Sequence, residues 1–130
     1  MRSMLFVPGD KEKLLLKSLK LGADAVIWDL EDAVAFGAKQ VARETIAGAL
    51  QIAPTDRVPI YVRVNNSGAE LLGADLERIM QPGLDGIIFP KAESSAQVKS
   101  LDSALARLES DRGLPQERIK VLCLLDTEHR

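Results

Sequence analysis

A single cysteine, Cys123, excludes an internal disulfide and suits a reducing, cytoplasmic compartment. Lying inside an apolar run, it reads as a small, inert core thiol. Aromatic residues make up only 4% of the chain, which leaves no platform for stacking nucleic-acid bases. Positive charge is not in surplus either: the formal net charge of -2 gives nothing with which to neutralise a phosphate backbone. No apolar run approaches the roughly 18 residues that span a bilayer, so neither a membrane anchor nor a signal peptide is expected. The spacing of Gly9, Gly37, Gly68 and Gly73 matches neither a dinucleotide-binding loop nor a phosphate loop.

What remains is the composition of an ordinary globular chain, with 46% hydrophobic and 28% charged residues in 130 positions. Short aliphatic runs alternate with longer amphipathic stretches, the pattern of parallel strands joined by covering helices. The runs Met4 to Val7, Ala25 to Trp28, Val58 to Val64, Leu84 to Phe89 and Ile119 to Leu125 predict strands buried on both faces. The intervening helices are marked by Leu15 and Leu19 within Lys11 to Leu21, and by Ala42, Ile46, Ala49 and Leu50 within Ala38 to Leu50. Leu72, Leu76 and Ile79 mark a third, and Val98, Leu101, Leu105 and Leu108 a fourth, with Ser94 and Gln97 forming a capping box at its start. Residues 1–130 therefore read as a single α/β unit of order (βα)4β, with no internal linker.

In parallel α/β folds ligands bind beyond the carboxyl ends of the strands, and those positions here are polar. They hold Pro8, Gly9 and Asp10; Asp29, Glu31 and Asp32; Arg63 and Asn65; Pro90, Lys91 and Glu93; and Asp126, Thr127, Glu128 and His129. The carboxylates of Asp29, Glu31 and Asp32 either attract a hard divalent cation, directly or through its waters, or simply open the next helix and complement its dipole. Arg63, in a strand where an apolar residue would pack better, either grips a substrate carboxylate or pairs with a rim acid. Lys91 either holds a substrate anion or caps a loop. His129, beside the C-terminus, reads as a frayed terminal residue rather than a proton carrier.

Four of these segments together resemble the citrate lyase β-subunit family of the HpcH/HpaI aldolase superfamily. They are Arg2 to Asp10, Gly22 to Val34 followed by Lys39 and Arg43, Val62 to Asn65, and Gly86 to Ser94. The resemblance implies a TIM (β/α)8 barrel, of which (βα)4β is an incomplete N-terminal portion, since a closed barrel typically needs about 250 residues. It further implies a magnesium- or manganese-dependent carbon–carbon lyase acting on a CoA thioester of a hydroxy acid, citryl-CoA or malyl-CoA, to release a 2-oxo acid and an acyl-CoA. In that scheme Arg63, Asp29, Glu31 and Asp32 are catalytic, and Arg63, Lys91 and Asn65 bind substrate. Asp126, standing where the family has a glutamate, is the direct metal ligand, while Asp32 and Glu31 act through metal-bound water. Implied partners are the CoA thioester, the 2-oxo acid, further copies of the chain and citrate lyase subunits. The alternative is a non-catalytic oligomeric assembly or CoA-ligand-binding protein derived from the lyase.

Overall fold

The structure, a computed structural model, describes residues 3–125. Five strands, β1 (Met4–Pro8), β2 (Ala25–Asp29), β3 (Ile60–Arg63), β4 (Gly86–Ala92) and β5 (Lys120–Leu125), alternate with helices α1 (Glu12–Ser18), α2 (Lys39–Ile52), α3 (Ala69–Ile79) and α4 (Ser95–Asp111). All neighbouring strands are parallel, and their order in the sheet is their order in the chain. Each βα unit thus advances the sheet by one strand in one direction, without the reversal that defines a doubly wound sheet.

The two faces of the sheet differ accordingly. Val26, Trp28, Ile60, Val62, Ile87 and Phe89 join the helix residues Leu15, Ile46, Leu76 and Leu101 in one continuous core. The alternate residues Ala25, Ile27, Tyr61 and Ile88 form a separate cluster made by strands alone. Helices therefore cover one face and leave the other to the strands, as in an arc of a (β/α)8 barrel. Phe6, Met4 and Leu122, on the outer strands, remain exposed. Gly86 belongs to this arrangement: a Cβ there would lie 2.4 Å from the Tyr61 ring, so the absent side chain makes room for the tyrosine on the neighbouring strand.

Local chemistry moves several predicted boundaries. Helix α1 stops at Ser18 rather than Leu21 because the Ser18 hydroxyl donates to the Leu15 carbonyl at 2.5 Å and accepts from Trp28 Nε1 at 3.2 Å. The next amides, of Leu19, Lys20 and Leu21, reach back three residues instead of four. Strand β3 starts at Ile60 instead of Val58, since Pro59 has no N–H to offer the sheet. Strand β4 runs on to Ala92 through a register shift between Phe89 and Ala92, within which Lys91 adopts φ 54°. A single 3-10 turn, Phe36–Ala38, precedes α2 and was not signalled by the apolar pattern. The capping box of α4 forms with Ser94 Oγ accepting from Gln97 N, while Gln97 Oε1 reaches back to Glu93 N.

Candidate functional site

The parallel register brings Pro8, Asp29 and Arg63 side by side at the carboxyl ends of β1 to β3, with Ile88 beside them within β4. Backbone bonds lace these ends together: Gly9 N donates to Asp29 O, Leu30 N to Arg63 O and Val64 N to Ile88 O. Gly9 permits the first of these contacts, because a Cβ would meet Asp29 O at 2.6 Å.

Asp29 is fully buried, and its carboxylate accepts four hydrogen bonds. Arg63 Nε and Nη2 donate side-on at 2.8 and 2.7 Å, and the amides of Glu31 and Ala33 donate at 2.8 and 2.9 Å. Burial alone would raise its pKa, but Arg63 and the two amides outweigh that and hold the carboxyl below its usual range. With four hydrogen bonds on its two oxygens, Asp29 has the geometry of a buried anchor for Arg63. The rim-acid pairing expected as one alternative for Arg63 is thus present, yet it occupies only one edge of the guanidinium. Nη1 has no hydrogen bond among the described residues, and Phe6 lies under the guanidinium plane, 4.9 Å from Cζ to the ring centroid. The bond to Asp29 chiefly, against the opposing effect of burial, raises the Arg63 pKa further and keeps it cationic.

Glu31 and Asp32 follow on the same loop. Glu31 Oε1 stands 3.7 Å from Arg63 Nε, and its Oε2 stands 3.5 Å from Lys91 Nζ, which is 3.8 Å from Asp32 Oδ1. Burial first, and then the adjacent Asp32 charge, push the Glu31 pKa up against the pull of Lys91 and Arg63. The structure therefore unites Asp29, Glu31, Asp32, Arg63 and Lys91.

Asn65, expected to contact substrate, lies in a different part of the polar fabric. It is buried, and both its backbone N and Nδ2 donate to Asp75 Oδ2 at 2.8 Å. The other oxygen of Asp75 takes Arg43 Nε at 2.7 Å, so the three residues pin β3 to α2 and α3. Asp75 was missed, although its place between Leu72 and Ile79 put a carboxylate on the apolar stripe of α3. Phe6 and Lys39 were also missed as site components. Cys123 is exposed rather than a core thiol, because β5 forms the edge of the described sheet. Asp126, Thr127, Glu128 and His129 lie outside the described residues.

Oxygen donors dominate this rim, as a hard cation requires, and Glu31 and Asp32 already hold the positive charge of Lys91 between them. Asp10, on the turn after β1, has a buried Oδ1 with no hydrogen-bond partner among the described residues. Among the described residues, no group of three acidic, histidine or cysteine side chains converges to hold a metal unaided. The donors present, Glu31, Asp32 and Asp10, are of the chemical type a hard cation takes, without forming a complete ligand set among the described residues.

Residues 2–129 match the family described as HpcH/HpaI aldolase/citrate lyase. The chain belongs to that family. It is 36% identical to the citrate lyase subunit beta of Haemophilus influenzae over 126 residues, covering 97% of this chain and 43% of that protein. It is 40% identical to a (3S)-malyl-CoA thioesterase of Cereibacter sphaeroides over 100 residues, covering 77% of this chain and 35% of that protein. The CitE protein of Mycobacterium tuberculosis, solved in complex with magnesium, acetoacetate and coenzyme A, superposes with a TM-score of 0.67 at 32% identity, over 96% of this chain and 39% of that one. The chain thus spans less than half the length of each of these HpcH/HpaI relatives. Its fold is the corresponding part of their barrel.

Proposed function

We propose that this chain supplies the oxo-acid-binding side of a magnesium-dependent carbon–carbon lyase. Its substrate class is a CoA thioester of a hydroxy acid, of the citryl-CoA or malyl-CoA type, cleaved to a 2-oxo acid and an acyl-CoA. The observation that carries the reading is the division of Arg63: one edge is locked on Asp29, while Nη1 is left to receive a carboxylate. Asp29 fixes the guanidinium and Phe6 restrains its plane, so a substrate carboxylate meets a donor already oriented. Lys91 supplies a second positive charge on the same rim, and its partnership with Glu31 and Asp32 holds it there in the absence of ligand.

Glu31 and Asp32 are the residues that would hold magnesium, or manganese, through its waters, with Asp126 as direct ligand. When bound, the ion supplies Lewis-acid polarisation of the oxo-acid carbonyl and offsets negative charge developing on it. The exposed Met4, Phe6 and Leu122 support association of the strand-only face with further polypeptide, either a second copy of the chain or citrate lyase subunits. No helix among the described residues is long and apolar enough to cross a membrane.

Thermal unfolding of the chain with magnesium, with pyruvate and with both tests the reading. A ligand that binds only the native state raises the midpoint, and the pair together should raise it more than either alone. No shift with the pair, together with no cleavage of citryl-CoA or malyl-CoA, overturns it.

A further inference from the structure

Lys39 is the first residue of α2, where a cation opposes the helix dipole and ordinary helix chemistry gives it no purpose. Its ammonium instead donates to three backbone carbonyls of the acidic loop: Leu30 O at 2.9 Å, Glu31 O at 3.0 Å and Val34 O at 3.3 Å. An ammonium has three protons, and here each has a carbonyl. The amides of the same loop turn the opposite way, with Glu31 N and Ala33 N donating to the Asp29 carboxylate and Val34 N closing onto Glu31 O at 3.2 Å. One cation thus gathers the loop's carbonyls while one anion gathers its amides. Between these two clamps stand Glu31 and Asp32, the residues that face Lys91.

We propose that Lys39 is a positioning residue, setting the conformation of the loop that carries Glu31 and Asp32 and thereby the cation and oxo-acid site. The proposal rests on the reading of that site given above. Lysine suits the task because a compact ammonium serves carbonyls converging from three directions, whereas the planar fork of arginine matches two parallel acceptors. Loss of the ammonium leaves three carbonyls to be satisfied by water, and the loop then samples conformations in which Glu31 no longer lies beside Arg63.

Amide hydrogen exchange followed by NMR tests the clamp without any ligand, on the wild-type chain and on Lys39→Met. Losing hydrogen bonds to a charged donor should speed exchange at Glu31, Ala33 and Val34 by about tenfold, while Ile27 in β2 and Ile46 in α2 stay as in the wild type. Unchanged loop exchange overturns the proposal, and so does an equal acceleration throughout the chain, which is the mark of a purely global contribution to stability. Should Lys39→Met fail to fold, Lys39→Arg carries the same comparison, since it keeps the charge but not the three-way geometry. Calorimetric titration of pyruvate in the presence of magnesium gives the second readout. Lys39→Met should bind about tenfold more weakly than the wild type, and equal affinity overturns the positioning role. A wild-type chain that binds neither ligand overturns the functional reading instead, and the exchange measurement then decides the fate of the clamp alone.

Discussion

Asp29 and Arg63 meet side-on across β2 and β3, Oδ1 to Nε at 2.8 Å and Oδ2 to Nη2 at 2.7 Å, with the carboxylate fully buried and the guanidinium edge partly open. The pair sits in direct register, Asp29 opposite Arg63, so it is a product of the parallel ladder itself. Breaking it from the acid side leaves a largely buried cation without its counter-charge. Asp29→Asn should therefore cost about 3 kcal/mol, read as a loss of roughly 10 °C in the thermal midpoint by circular dichroism. A change of less than about 1 kcal/mol, the worth of an exposed ion pair, would contradict the assignment of Asp29 as an anchor.

The two acids of the site respond to pH in opposite senses. Asp29 titrates below its ordinary value of 3.8 in the folded chain, so its contribution is complete above that value and disappears as pH falls through the folded pKa. Glu31 titrates above its ordinary 4.5, so its contribution is complete below 4.5 and is lost as pH rises through the folded pKa. The midpoint deficit of Asp29→Asn should hold steady between about pH 5 and 7 and shrink as pH falls below about 4. Glu31→Gln should instead gain on the wild type as pH rises from about 4.5 towards 7. Parallel pH profiles for the two variants would contradict the environments described.

Asp75 holds Asn65 and Arg43 with every atom of the network buried or nearly so. Asp75→Ala should cost about 3 kcal/mol or more in urea unfolding, because it strands both an arginine and an amide. Asn65→Ala should cost about 1.5 kcal/mol, the worth of one hydrogen bond to a charged acceptor at the low end. Its affinity for pyruvate should match that of the wild type, whereas a selective loss of affinity would restore Asn65 to the substrate site.

Packing beneath the site is tested at Gly86, where an added Cβ falls 2.4 Å from the Tyr61 ring. Gly86→Ala should destabilise by about 1–3 kcal/mol in the same measurement, as overpacked cores do. The double variant Gly86→Ala with Tyr61→Leu should recover part of that loss through coupling between contacting residues. Purely additive effects would show that the two do not meet.

Strand identity was legible because β2, with all five of its residues buried, tolerates only aliphatic and aromatic side chains before Asp29. The polar residues at strand ends were legible for the same reason: Asp29 and Arg63 interrupt runs that packing would otherwise keep apolar. What each polar group meets was not legible. Choosing between Arg63 as a rim-acid partner and Arg63 as a ligand for substrate required the register that aligns it with Asp29, and the geometry shows one edge of the guanidinium already engaged. Asn65 looked available because it follows an apolar strand, but its partner Asp75 lies ten residues on, across a helix start. Lys39 entered only as part of a matched segment, without a role, since contacts to backbone carbonyls depend on a loop's path and leave no mark in residue type.

The central claim, that the open edge of Arg63 holds the carboxylate of a 2-oxo acid in a magnesium-dependent site, is tested most directly by isothermal titration of pyruvate into the chain with and without magnesium. The comparison is between the wild type and Arg63→Lys, which keeps the positive charge and loses the fork. The account predicts magnesium-dependent binding by the wild type and a loss of about tenfold or more in Arg63→Lys, from charge-assisted bonds that the ammonium cannot reproduce. Equal affinity in the two proteins, or binding by the wild type that ignores magnesium, would contradict it.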